Sequence, residues 1–138
     1  MVKHFRELRI FQEAFGSAMT IFELSKEWPP EERYSLTDQI RRSSRSVCGN
    51  TAEAWRKRRY PAHFSSKLSD ADSETAETQA WLDFALKCGY ISAGQFEELD
   101  AIYERVSGGL VNMMDNAEQW CGPAKGVREE QVDYGENS

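Results

Sequence analysis

Apolar residues recur at steps of three and four along most of this 138-residue chain, in four runs broken by proline and glycine. That spacing places them on one side of an α-helix and does not fit the period of two that a half-buried strand needs. In the first run Leu8, Phe11, Phe15, Ala18 and Phe22 form the stripe, which predicts a helix from about Phe5 to Glu27. Trp28-Pro29-Pro30 ends it, because proline pushes the residue before it out of helical geometry. A second helix is expected from Glu31 or Ser35 to about Arg59, with a thin stripe of Leu36, Ile40, Val47, Thr51 and Ala54, and Trp55 at its margin. Ser35 and Asp38 make a capping-box-like start, and Gly49 permits a kink or a close helix contact. The third helix, from about Pro61 to Lys87, presents Phe64, Leu68, Ala71, Thr75, Thr78, Leu82 and Ala85, and Gly89 stops it. The fourth opens at Ser92 with Gln95 completing a capping box. It carries Phe96, Leu99, Tyr103, Val106, Leu110, Met113, Ala117 and Trp120, has a soft spot at Gly108-Gly109, and ends at Cys121-Gly122-Pro123.

Four long amphipathic helices with short connections predict an all-α fold, an up-down-up-down four-helix bundle. One such domain is expected over 1–121, followed by a disordered polar tail at 122–138. No apolar run of about 18 residues is present, so no membrane span is expected. Glu7 and Glu13 interrupt the apolar pattern of the N-terminus, which lacks the core of a signal peptide and points to a cytoplasmic protein.

The chemistry-bearing residues are sparse. Cys48, Cys88 and Cys121 are odd in number, far apart and in no metal-ligand spacing, so reduced thiols are expected. Helical bundles that hold two irons use Glu-x-x-His pairs, and neither His4 nor His63 follows a Glu at that distance. No glycine loop shaped for phosphate appears. The acidic run Asp70, Asp72, Glu74 and Glu77 reads as a solvated or paired helix face rather than a metal site. The expectation is a non-enzymatic protein with no cofactor, metal, membrane or small-molecule substrate.

The net charge of −6 conceals an asymmetry. Residues 31–60 hold eight Lys/Arg against four Asp/Glu, whereas residues 61–120 hold three against eleven. The basic block coincides with the second helix. There Gln39, Arg42, Ser46, Asn50, Glu53 and Lys57 follow core spacing although all are polar. On a helical wheel they fall within about 80°. Beside them runs a basic edge of Arg41, Arg45, Arg56 and Arg59, continued by Lys57 and Arg58.

Within this helix, Gln39-Ile40-Arg41-Arg42, Ser46-Val47 and Asn50-Thr51-Ala52-Glu53 resemble the motif Q-hydrophobic-R-R…S-I-P-x-N-I-A-E-G. That motif belongs to the bacterial four-helix-bundle family encoded in intervening sequences of 23S rRNA genes, often labelled ribosomal-protein-like. Trp28-Pro29-x-Glu31…Tyr34-Ser35-Leu36-Thr37 resembles the family's entry to this helix, and Glu77…Leu82…Ala85…Gly89-Tyr90-Ile91 its third helix. The resemblance covers about residues 5 to 120. Cys48 stands where the family usually has proline and Ala54 where it has glycine, and Thr78 and Ala80 also depart from the pattern. The resemblance implies an up-down bundle that assembles as a ring, commonly a homopentamer, of largely unassigned activity. A related branch, the accessory proteins of diversity-generating retroelements, is basic and works with nucleic acid, whereas this chain is acidic overall.

Core spacing implies that the polar stripe faces protein, and three arrangements stay open. It is an intramolecular network, with Arg42 pairing Glu77 or Glu53; a seam against a neighbouring subunit; or a contact for a ligand or RNA. The basic edge has two readings as well. Cations favour a helix C-terminus. In a ring they also repeat as a collar for phosphates, with Trp55, Tyr60 and Phe64 nearby as stacking candidates. The expected function is therefore a ring-forming bundle that binds structured RNA or DNA through Arg41, Arg45, Arg56, Lys57, Arg58 and Arg59. The alternative is a homo-oligomeric adaptor that binds another protein. Ile10, Ile21, Ile102, Val111 and Met114 lie off the main stripes and are the expected cover for a subunit interface.

Overall fold

The computed structural model describes residues 1–122; the polar tail expected beyond them lies outside the described residues. Among these the chain is all-α: α1 is Arg9–Ser25, α2 Leu36–Arg56, α3 Pro61–Lys87, α4 Ala93–Asp115 and α5 the short Ala117–Cys121. Short 3-10 turns precede α1 at Phe5–Glu7 and α2 at Pro30–Glu32. Helix α1 touches α2 and α4, and α3 touches α2 and α4, while the two diagonal pairs stay apart. That cyclic arrangement is the packing of a four-helix bundle.

The helix ends follow local chemistry. The capping box at Ser92 and Gln95 forms in both directions. Gly89, at φ 81°, closes α3 in a Schellman arrangement, with Tyr90 N–H on Ala85 O and Gly89 N–H on Leu86 O. The start of α2 differs from expectation. Ser35 makes no side-chain cap and instead donates its hydroxyl to Glu32 Oε1 at 2.7 Å. The same carboxylate oxygen accepts the N–H of Leu36 at 3.2 Å, so Glu32 caps the helix from the turn before it. Helix α2 also ends three residues early, because Tyr60 adopts the extended backbone that Pro61 imposes. Helix α4 runs unbroken through Gly108-Gly109 and gives way at Asn116, whose side chain bonds back to Asn112 O.

The core is built from the stripes of α2, α3 and α4, and all seven α3 positions named from spacing are buried. Helix α1 is the exception. It buries Ala14, Ser17, Ala18, Ile21 and Ser25, while Phe15 is 54% and Met19 46% exposed. Near its start α1 comes close to α4. At Gly109 an added Cβ would lie 2.4 Å from Ile10 Cγ2, so larger side chains do not fit between the helices. Of the residues expected to cover an interface, Ile21 alone belongs to the core of the bundle. Ile10, Ile102 and Met114 are half-buried against it, and only Val111 stands exposed.

Buried hydroxyls join α2 to α3. Thr78 Oγ1 lies 2.8 Å from both Glu74 O and Ser43 Oγ. Each hydroxyl also has a carbonyl acceptor on its own helix, Glu74 O for Thr78 and Ile40 O at 3.4 Å for Ser43, and one of the two hydroxyls supplies the proton between them.

At one end of the bundle the Tyr90 hydroxyl donates to Glu32 Oε2 at 2.8 Å, with the Trp28 and Tyr90 rings 5.6 Å apart. The Ser35 hydroxyl first, then Tyr90, holds the Glu32 carboxyl below its usual value, and Glu32 pushes the Tyr90 phenol up to about 12. A lowered carboxyl contributes stability above its unfolded value and loses it as pH falls through the folded one. A raised phenol contributes below its unfolded value and loses it as pH rises through about 12. Tyr90→Phe is therefore expected to lower the thermal midpoint near neutral pH, with the difference from wild type fading as pH falls through the lowered Glu32 value. A difference unchanged from pH 7 to pH 3 would show that the hydrogen bond is not its source.

Candidate functional site

The polar stripe of α2 lies along the outer groove between α2 and α3, and most of it pairs within the chain. Arg42 Nη2 bonds Glu77 Oε2 and lies 3.5 Å from Glu74 Oε1. The Glu77 bond, followed by the nearby Glu74 and Glu77 charges, raises the Arg42 guanidinium against a partial opposing effect of burial. Glu77 also accepts from Trp81 Nε1 at 3.1 Å. Asn50 Nδ2 donates to Ser46 O and Ser46 Oγ at 3.0 and 3.1 Å. Glu53 takes Lys67 Nζ at 2.8 Å. Gln39 is half-buried at the start of α2 beside Trp81 and Phe84. Glu74 Oε1 is buried without a hydrogen bond, since Arg42 reaches it only as an ion-pair contact.

The basic edge divides into two parts about 22 Å apart along α2, from Arg41 to Arg56 at ~1.5 Å per residue. Arg41 is held against α1: its Nε donates to Ser25 Oγ at 2.8 Å and its guanidinium sits 4.7 Å from the Phe22 ring centroid. Arg45 lies over the same ring at 5.6 Å. The second part closes α2. Arg56 lies 5.8 Å from the Phe5 ring centroid, and Arg6 lies 4.9 Å from the same centroid. Arg58 covers Trp55 at 3.6 Å and donates to Trp55 O, and burial lowers its guanidinium. Lys57 is half-buried, with its backbone N–H on Glu53 O and Ala54 O, and Arg59 is exposed. Neither Arg56 nor Lys57 forms an ion pair among the described residues.

Of the aromatics named as stacking candidates, Trp55 and Phe64 are core residues, and only Tyr60, 48% exposed and beside His63, is open to a base. The sequence reading missed Phe5 and Arg6. A lone aromatic outside the helical stripe carried no periodic signal, yet it brings the N-terminal cation beside Arg56.

A groove of about 430 Å³ at the end of α2 is lined by Phe5, Ala52, Glu53, Arg56 and Lys57, and two more lie beside the helix. The first of these two, of about 410 Å³, lies between α1 and α2, with Phe11, Phe15 and Met19 as one wall, Cys48 and Gly49 as the other and Arg45 at the rim. Burial pushes the Cys48 thiol there up to about 11, so it is a poor nucleophile. The second, of about 590 Å³, lies between α2 and α3 beside Tyr34, Gln39, Trp81 and Phe84. Among the described residues no group of three or more His, Cys, Asp or Glu is arranged to hold a metal ion, and no helix is long and apolar enough to cross a membrane.

Residues 6–112 match the sequence model of a family described as 23S rRNA-intervening sequence protein. The chain is also similar to the crystal structure of a protein of unknown function from the S23 ribosomal protein family of Bacteroides thetaiotaomicron. The two are 26% identical, with a TM-score of 0.69, over 77% of this chain and 95% of that one. No curated protein matches the sequence.

Proposed function

Because this chain belongs to the 23S rRNA-intervening sequence protein family, we propose that it is a non-enzymatic, self-assembling helical bundle that binds structured RNA through the basic end of α2. The observation that carries this reading is the gathering of Arg6 and Arg56 around Phe5, next to Lys57 and Arg58. Cations without carboxylate partners among the described residues, in a chain of net charge −6, mark a local site for phosphate rather than a generally sticky surface. The family's description supports a connection to rRNA and supplies no activity. Arg41 and Arg45 leave the proposed RNA site, because they lie on α1 and Phe22 at the far part of the edge.

The test is binding of a structured RNA to the full chain across a salt series. Phosphate contacts release counterions, so the logarithm of the affinity is expected to fall linearly with the logarithm of salt concentration. Absence of binding at low salt would overturn the RNA reading. A second reading, an adaptor for another protein, is favoured by the exposed Phe15, Met19, Tyr34 and Phe84. It predicts a partner recovered equally with and without nuclease.

A further inference from the structure

The described residues end beside the basic end of α2. Helix α5 packs on α3 and α4, and its Trp120 ring meets the Trp55 ring edge-on with centroids 6.0 Å apart. Arg58 lies over the same Trp55 ring and within electrostatic range of Cys121. Gly122 therefore leaves the bundle where α2 ends, and residues 123–138 follow it. Their charge is ordered. Lys125 and Arg128 come first, and Glu129, Glu130, Asp133 and Glu136 follow with no further cation. Val132 and Tyr134 sit among these carboxylates.

The groove at the end of α2 has the complementary composition. Phe5 and Ala52 give it an apolar lining, and Arg56 and Lys57, with no ion pair among the described residues, give it charge. Arg6 adds a third cation, 4.9 Å from the Phe5 ring centroid. Glu53, the carboxylate in the lining, is engaged by Lys67 Nζ at 2.8 Å. At ~100° per residue Trp55 and this groove lie on opposite sides of α2, so a chain joining them passes half-way round a cylinder about 10–12 Å wide, roughly 17 Å. Glu129 is seven positions beyond Gly122, and an extended chain of that length spans up to about 25 Å.

We propose that residues 129–136 dock in this groove of their own chain, carboxylates on Arg6, Arg56 and Lys57 and Tyr134 against Phe5, and compete there with RNA phosphate. The proposal rests on the RNA reading above and supplies the regulation of that site. The occupant is the chain's own segment, because the charges oppose, each side brings an aromatic ring, and the tether starts at the groove's end of the bundle. A short tether holds the segment at an effective concentration of about a millimolar, so a contact too weak to last between separate molecules is occupied within one. RNA gains access by offering more charge than the carboxylates it displaces.

The experiment uses the full chain with Glu129→Gln, Glu130→Gln, Asp133→Asn and Glu136→Gln combined. Its control neutralises four exposed carboxylates on α3 and α4 away from that end, Asp83→Asn, Glu97→Gln, Glu98→Gln and Glu104→Gln, and changes the net charge by the same amount. Without RNA, the amide NMR signals of Phe5, Arg56 and Lys57 are expected to shift in the first variant and to stay in the control. With a structured RNA at about 0.15 M salt, the first variant is expected to bind about tenfold tighter than wild type, the gain when about nine sites in ten are covered, and the control within about twofold of it. Amide signals that stay in place, or equal gains from both variants, overturn the docked segment and leave the RNA reading standing. Amide signals that shift in a chain that binds no RNA in any form support the docking and overturn the RNA reading instead.

Discussion

Arg56→Glu with Lys57→Glu is expected to weaken binding of a structured RNA by about a hundredfold at about 0.15 M salt, and to flatten the salt dependence by about two units of slope. The two side chains lie at the end of α2 without carboxylate partners among the described residues, so reversing them removes two phosphate contacts and adds repulsion. The fold is expected to be indifferent. Arg56 is exposed and its contact with the Phe5 ring is worth about 0.5 kcal/mol. Lys57 serves the helix end through its backbone N–H, which glutamate also has. Arg42→Gln is the matched control. Its charge is engaged by Glu77 and Glu74 in the groove between α2 and α3, so it is expected to leave RNA affinity and salt slope as they are. Equal effects from the double reversal and the control would show a general response to charge and sink the site. Unchanged affinity after the double reversal would remove the basic end from RNA binding altogether.

The sequence was most legible where one physical signal acted alone. In α3 the apolar spacing, the proline at its first turn and the glycine at its end agreed, and the helix occupies Pro61–Lys87 as read. Ser92 and Gln95 were legible for the same reason, since a capping box is a local device. In α1 two signals conflicted. The aromatic stripe was the stronger apolar pattern, but the buried positions are Ala14, Ser17, Ala18 and Ile21, while Phe11 and Phe22 are half-buried and Phe15 is exposed. Hydrophobic periodicity reports that a helix has an apolar face; which of two faces turns inward depends on the helix it meets. The α2 stripe failed to be legible for a related reason. Its spacing placed Arg42 toward protein, and Glu77 was among the partners read for it, but only the packed helices show which of its neighbours pair inside the chain. The cluster at Phe5 needed tertiary structure outright, since Arg6 and Arg56 are 50 positions apart in the sequence.

Gly108 and Gly109 are indistinguishable in the sequence, where they read together as one soft spot in α4, and they are expected to respond in opposite directions. Around Gly108 an added Cβ meets nothing within 4 Å. Gly108→Ala therefore removes backbone freedom from the unfolded chain at little steric cost and is expected to stabilise by up to about 1 kcal/mol. At Gly109 the added Cβ would stand 2.4 Å from Ile10 Cγ2. That methyl is on the branched carbon of Ile10 and follows the backbone of α1, so it cannot swing aside as the end of a long side chain would. Gly109→Val adds the forbidden Cβ and two further methyls between α1 and α4. It is expected to destabilise by about 3 kcal/mol, which lowers the thermal midpoint by about 10 °C in a domain of this size. Shortening the obstacle should return part of the loss: Ile10→Ala in the Gly109→Val background is expected to be less harmful than Ile10→Ala alone, a coupling that a double-mutant cycle reads directly. Additive effects of the two substitutions would mean that Gly109 matters through helix propensity and not through its contact with Ile10.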